Sequence, residues 1–424
     1  MRTRDKYPPV IIYFSAGWWK NNFPIGELRY PIHIISKKHN VIFVEPPLTL
    51  RETLTERKRI ALYKKYGPLR KLPGTKMIIF TPRLMLPYSV RLPLSPVLKK
   101  MILKINSSII SRKTMQVFRK IYPEKALPDI VFGTIFHHAE LVRSIRASHN
   151  LAIINDNFPE SPVFTEEEKL EIREMEKDLI SSSEYFFTTS GTLFEEKKEI
   201  NPNAVMMENG VSSLFLPENR ERLTPFAKEC PLGEQKIITE IGKIPGPKVG
   251  YLGSLNVRLM TPFIEELLKL PGKTQFCFVG NVDDSFPEEI HSRMKEAPNF
   301  RFFPFLSHAL APLFFDHMDA LLLPFELTDF SKYINPLKFS EYLSSGKPVI
   351  STPLPEVKRI IKNKEHLVYI VENVKDVPVM IKKALGEDSK EKREERLALA
   401  RTRTWIKTSQ KMRTIVDRLL QRHG

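Results

Sequence analysis

The chain has 424 residues, is 42% hydrophobic and 27% charged, and carries a formal net charge of +17. That length suits two or three domains with full cores. Its two cysteines, Cys230 and Cys277, argue against a disulfide framework and for a reducing compartment, and no apolar run reaches the roughly eighteen residues of a membrane-spanning helix.

The opening, MRTRDKYPPVIIYFSAGWWK, has the basic start and apolar run of a leader peptide. Pro8-Pro9 before the run, Trp18-Trp19 after it and the want of a small-residue cleavage site make VIIYFS a first buried strand instead. A helix at about 27–38 and the strand NVIFVEPP follow. Residues 51–125 then concentrate the charge: 19 Lys/Arg stand against Glu52, Glu56 and Glu124, a net +16. These cations are interleaved with Leu, Met, Ile and Tyr in PRLMLPYSVRLPLSPVLKKMILKINSSIISRK. Such a surface suits anionic lipid, at roughly 1 kcal/mol per cation. Nucleic acid is the rival partner and a solvated face the plain alternative; the leucine- and proline-rich composition, with no nucleic-acid module, favours lipid.

Next come the strand PDIVFGTI, a helix at about 138–147, the strand NLAIINDN, the acidic helix TEEEKLEIREMEKDLISSS, the strand YFFTTS, a helix near 191–200 and NAVMMENGV. A polar stretch at 217–247 precedes a second set. It runs PKVGYLGSL, TQFCFVGNV, FRFFPFL, ALLLPF, KPVIST and HLVYIV, with helices between. The alternation predicts α/β architecture with parallel sheets, in two successive doubly wound domains, 1–208 and 209–400. The joint falls near Asn209-Gly210. The charged stretch 383–400 reads as a solvent-facing helix, and the amphipathic segment at about 404–424 as one that packs back on the first domain.

Parallel sheets bind ligands at the carboxyl ends of their strands, and the suggestive residues fall there. Gly17, Trp18 and Trp19 follow the first strand; the tryptophans either stack on a sugar or lipid edge or belong to the core. His137 and His138 follow DIVFGTIF and either work in the site or cap a helix. Asp156 ends LAIIND and either binds hydroxyls or serves as an N-cap. In GYLGSLNVR, Gly253 lets backbone approach a ligand and Arg258 can reach a phosphate, the alternative being a tight turn with a surface arginine. Asp283-Asp284 make a poor metal site. In NPLKFSEYLSSGKPVIST, Asn335 suits an N-cap and Pro336 the first helical position, with Gly346 as the stop. Phe339, Tyr342 and Leu343 share a core face; Leu337 and Glu341 lie opposite. The first turn with Lys338 suits a diphosphate, and Glu341 a ribose. A surface helix with a Lys338–Glu341 pair is the plain alternative.

These pieces resemble, in order, the retaining GT-B glycosyltransferases, in particular the family 4-like branch (glycosyl transferases group 1) of bacterial cell-surface sugar assembly. The resemblance rests on ENGVSSLF, VGYLGSLN, FCFVG, FFPFLSHALAPLFFDHMDALLLPF and above all NPLKFSEYLSSGKPVIST. It covers most of 205–375; in the first domain RYPIHIISKKHNVIFVEPP is similar to an Arg-Pro-x-His segment of some members. It implies two Rossmann-like domains facing across a cleft, the second binding a nucleotide-sugar donor. Carried onto this chain, Glu341 holds the ribose, and Asn335, Pro336, Leu337 and Lys338 the diphosphate or sugar. Gly253, Ser254 and Arg258 approach the phosphates, and the loop Pro304–His308 flanks the base. Many members carry a second glutamate eight positions before the ribose-binding one; here that position is Tyr333. The expected acceptor is a glycan or lipid-linked sugar at the inner face of the cell membrane, contacted by Gly17, Trp18 and Trp19, with His137, His138 and Asp156 as catalytic candidates. No cofactor, metal or nucleic acid is implied. The competing readings are a nucleotide-sugar epimerase of the same fold and an inactive sugar- or lipid-binding relative.

Overall fold

The computed structural model describes residues 7–19, 29–49, 57–86, 94–270 and 272–421. The expected onset of the first helix at 27–28, and residues 51–56 and 87–93 of the basic segment, lie outside the described residues. The chain divides into two compact units: the first ends at Glu208 and resumes at Ser409, and the second is Asn209–Thr408.

The first unit is built on ten strands: β1 (Val10–Phe14), β2 (Asn40–Val44), β3 (Leu48–Thr49), β4 (Leu69–Lys71), β5 (Met77–Phe80), β6 (Arg83–Met85), β7 (Ile130–Gly133), β8 (His149–Ile154), β9 (Tyr185–Thr188) and β10 (Ala204–Met206). Eight form one sheet in the order β10-β9-β8-β7-β1-β2-β5-β4, while β3 and β6 pair separately. Its pairings are parallel except at the edge, where β4 runs antiparallel to β5. Strand β1 is buried along its whole length, as an inner strand covered on both faces must be. The helix Gln410–Gln421 adds Met412, Val416, Leu419 and Leu420 to the core formed by Ile11, Phe43, Phe132 and their neighbours. Asp417 on that helix pairs with Lys38 at 2.9 Å and His39 at 2.6 Å. The preceding turn Trp405–Thr408 stays in the second unit.

The basic segment does not read as periodic structure in the sequence, yet it holds β4, β5, β6 and a helix of 26 residues, Pro96–Ile121. Pro96 occupies the first helical turn, and the Ser95 hydroxyl accepts from the Leu98 amide at 3.4 Å.

The second unit has six strands, all parallel: β11 (Lys248–Leu252), β12 (Gln275–Val279), β13 (Phe300–Phe303), β14 (Ala320–Leu323), β15 (Val349–Ser351) and β16 (Val368–Ile370). Their order is β13-β12-β11-β14-β15-β16. Two helices, Arg220–Lys228 and Leu232–Lys243, occupy the stretch that reads only as polar in the sequence. The charged 383–400 stretch is not one solvent-facing helix. It breaks after Gly386, and a second helix, Lys390–Thr402, buries Arg396, Leu397 and Ala400. Charge alone misleads here because Arg396 points inward. Its guanidinium donates to the Gly346 carbonyl at 2.6 Å, the Leu367 carbonyl at 3.0 Å and Asp388 Oδ1 at 2.6 Å.

Arg396 thus ties the end of the helix Leu337–Leu343 to the far edge of the sheet. Arg396→Leu leaves two carbonyls and a carboxylate without their donor and is expected to cost about 3–5 kcal/mol, read as a lowered urea midpoint.

Candidate functional site

In the parallel part of each unit's main sheet the strand order reverses once, and a doubly wound sheet binds ligands at the carboxyl ends flanking that reversal. In the second unit it falls between β11 and β14. Backbone bonds join the two outgoing loops: Met260 N–H donates to the Pro324 carbonyl at 2.8 Å, and Glu326 N–H to the Arg258 carbonyl at 2.7 Å. Gly253, Ser254 and Arg258 are on one loop, and Asn335 and Pro336 close the other.

Gly253 has φ +153, a region that favours glycine, and a Cβ there would lie 2.7 Å from Lys338 Nζ. The ammonium of Lys338 therefore lies against bare backbone. It also sits over the rings of Tyr251 and Phe325, 5.9 and 5.8 Å from their centroids. Burial pushes its pKa down from the usual lysine value, and Glu341 opposes the shift. Glu341 is buried, with Oε1 2.7 Å from His308 Nε2. Burial disfavours its charged form, but the His308 charge and hydrogen bond, together with Lys338, hold the carboxyl below its usual range. His308 in turn packs on Phe215, ring centroids 4.7 Å apart, while Ser307 N–H donates to Glu234 Oε2 at 2.6 Å. The Pro304–His308 loop is thereby docked at both its backbone and its histidine. Sequence reasoning placed His308 only at the end of that loop. Its pairing with Glu341 depends on the turn His308–Leu310 and the helix Leu337–Leu343 meeting in space, so spacing along the chain carries no signal of it.

The helix begins one residue later than its sequence suggests: Pro336 is the N-cap, with ψ 120 and no side-chain cap. Asn335 lies upstream and buried, its carbonyl accepting from Asn209 Nδ2 at 2.7 Å. Gly346, at φ +73, follows the helix. Leu337 is half-buried; Phe339, Tyr342 and Leu343 are core. Ser254 is exposed, and its carbonyl accepts from the Tyr251 hydroxyl at 3.0 Å. The exposed Arg258 has its guanidinium 5.5 Å from the Phe330 ring centre. Tyr333 is buried, with Lys332 Nζ 5.4 Å from its ring centre.

In the first unit the reversal falls between β1 and β7. Ala16 N–H donates to Thr134 Oγ1 at 3.1 Å, and that hydroxyl donates to the Phe14 carbonyl at 2.9 Å. The structure thus brings the Gly17 loop beside the one carrying His137 and His138. The tryptophan pair divides. Trp18 is half-buried, whereas Trp19 is 7% exposed and edge-to-face with Phe43 at 5.3 Å, so it is a core residue rather than an exposed stacking platform. Glu45 anchors that loop, accepting from the Trp19 amide at 2.7 Å, Arg70 at 2.7 Å and the Thr81 hydroxyl at 2.6 Å. His138 is buried and accepts at Nδ1 from the Thr134 amide at 3.1 Å. Asp156 follows β8, one strand further along, and accepts from the Asn155 amide group at 3.0 Å.

Burial lowers His137 to about 4 and, with His137 alongside, holds His138 well below the usual histidine value. Both rings are neutral in the folded chain near neutral pH. As pH falls from 6.5 toward 4, the unfolded chain takes up a proton that folded His137 refuses, so stability is lost through that window. Urea unfolding at about pH 5 is expected to show about 2 kcal/mol less stability from this residue than at neutral pH. His137→Gln should flatten that dependence.

Residues 246–386 match the family described as Glycosyl transferases group 1. A stretch of 170 residues, 38% of this chain, is 28% identical to the putative teichuronic acid biosynthesis glycosyltransferase TuaH of Bacillus subtilis (strain 168). The match spans 40% of the length of that relative. Among solved structures, HepE of Anabaena in complex with UDP-glucose superposes with a TM-score of 0.62 at 12% identity, covering 96% of this chain and 99% of that one. Trehalose-6-phosphate from E. coli, bound with UDP-2-fluoro glucose, gives 0.66 at 12% identity, covering 97% and 99%. Sucrose-phosphate synthase from Thermosynechococcus elongatus gives 0.63 at 12% identity, covering 98% and 100%. At such identities the likeness establishes the fold, which is GT-B.

Proposed function

Since residues 246–386 match the family described as Glycosyl transferases group 1, we propose that the chain moves a sugar from a nucleotide-sugar donor to a glycan or lipid-linked acceptor at a membrane. The observation that carries this reading is the desolvated Lys338 ammonium against Gly253, one helical turn from a Glu341 carboxylate already held by His308. A half-buried, partly desolvated cation beside glycine backbone suits an anionic oxygen, and an oriented carboxylate suits vicinal hydroxyls. The UDP-sugar complexes of HepE and of the E. coli protein support the donor class. The name of TuaH supports a polysaccharide acceptor.

In this reading Glu341 accepts hydrogen bonds from the ribose, and Lys338 and Arg258 face the diphosphate. When the bond from anomeric carbon to phosphate oxygen breaks, its electron pair stays on the diphosphate. The acceptor hydroxyl forms the new bond to that carbon, and its proton passes to the departing diphosphate oxygen. Fixed cations aimed at the developing charge stabilise this step without a metal. Retention of configuration is taken from the resemblance to retaining members. The first unit receives the acceptor at its β1, β7 and β8 loops, where Gly17 and Trp18, His137, and Asp156 lie in turn, and the basic segment 51–125 holds that unit on the inner face of the membrane.

A thermal-shift panel of nucleotide sugars should reveal the donor, and release of nucleotide only when acceptor is supplied should establish transfer. Lys338→Gln is expected to lower kcat about 10²–10³-fold, the usual loss for one such donor. Glu341→Ala should abolish the donor-induced shift while the circular dichroism spectrum stays unchanged. Wild-type turnover by both variants would refute the site.

A further inference from the structure

The helix Pro96–Ile121 carries on its outer face an apolar row that a helix covering a soluble domain turns inward. Polar residues face inward: Asn106, Ser107, Ser111 and Thr114 are buried along with Leu103, Ile110 and Phe118. Asn106 is fully engaged, accepting from the Leu86 amide at 3.1 Å and donating to the Leu86 carbonyl at 2.9 Å. The buried Lys99 lies 3.5 Å from Glu171 on the neighbouring helix Glu166–Ser181. Apolar residues also face outward: Val97 is 80% exposed, Met101 51% and Ile105 40%.

At 100° per residue Val97, Met101, Ile105, Arg112 and Arg119 fall within about 80° of arc. The first half of this stripe is apolar and the second cationic. Lys100 and Lys104 are exposed beside the apolar half. The helix contains seven Lys/Arg and no acidic residue. Charge complementarity selects the occupant. A second copy would bring the same acid-free helix, and nucleic acid would leave the apolar row against phosphates. An anionic bilayer meets both halves, with acyl chains for the row and headgroup phosphates for the cations.

We propose that the outer face of Pro96–Ile121 seats the first unit on an anionic lipid bilayer. Val97, Met101 and Ile105 enter the boundary between headgroups and acyl chains, while Lys100, Lys104, Arg112 and Arg119 engage lipid phosphates. This deepens the membrane association proposed above and rests on it.

The full chain is tested by co-sedimentation with phosphatidylcholine vesicles with and without phosphatidylglycerol. Binding is expected to need phosphatidylglycerol. Met101→Glu should lower the partition at least about tenfold, and Lys100→Gln and Lys104→Gln about fivefold each. Leu232→Glu, an exposed leucine of the second unit, should change nothing. No binding to either vesicle, equal binding to both, or undiminished binding by Met101→Glu overturns the proposal. So does light scattering that shows a dimer dissociated by Met101→Glu. Thermal shift with nucleotide sugars on the same variants separates the two readings. Loss of vesicle binding with an intact shift isolates the helix face, whereas vesicle binding with no shift in the wild type removes the donor site and leaves the docking face standing.

Discussion

Parallel pairing of β11 with β14 is the contact on which the candidate site depends. It brings Val249 opposite Ala320 and Gly250 opposite Leu321, so the loops leaving both strands start side by side. Because the crossovers then diverge, neither loop is roofed by the other's helix. The backbone bonds from Met260 and Glu326 finish the join. Gly253 and Lys338, 85 positions apart in the chain, come into contact only because this pairing exists.

The charges at that edge are arranged unequally. Glu341 has a built-in partner in His308, and its carboxylate keeps its charge in spite of burial. Lys338 has aromatic faces, glycine backbone and the more distant Glu341, and burial lowers its pKa. A buried charge is costly unless paired, so the lysine is the group with most to gain from an incoming anion. In the first unit the polar groups at the corresponding edge are already engaged: Glu45 with Arg70 and Thr81, and His138 with the Thr134 amide. That arrangement fixes loop shape, which suits a surface that positions an uncharged hydroxyl more than one that neutralises phosphate.

The fold class was legible because buried parallel strands read as short apolar runs, and VIIYF, QFCFV and ALLL are such runs. The long helix Pro96–Ile121 was not, because Asn106, Ser107, Ser111 and Thr114 share its inner face with Leu103, Ile110 and Phe118 while Val97, Met101 and Ile105 face out, which blurs the usual period. Trp19, which the sequence left open between stacking and core, and Arg396, whose charged stretch reads as solvent-facing, follow one rule: burial is decided by which partners the fold supplies. Phe43 covers the first, and two carbonyls with Asp388 satisfy the second. At the site, Lys338 and Glu341 stood out by helical spacing. His308 did not, since its role arises from contact between segments 33 positions apart.

The return of the last helix to the first unit has a consequence for biosynthesis. Among the described residues the second unit is one uninterrupted stretch, whereas the first lacks Met412, Val416 and Leu419 until the helix Gln410–Gln421 is made. On a translating ribosome the later-encoded unit is therefore the earlier to hold its full complement of core side chains. The sheet of the first unit waits, with an apolar groove uncovered, for the helix Gln410–Gln421 to emerge from the exit tunnel.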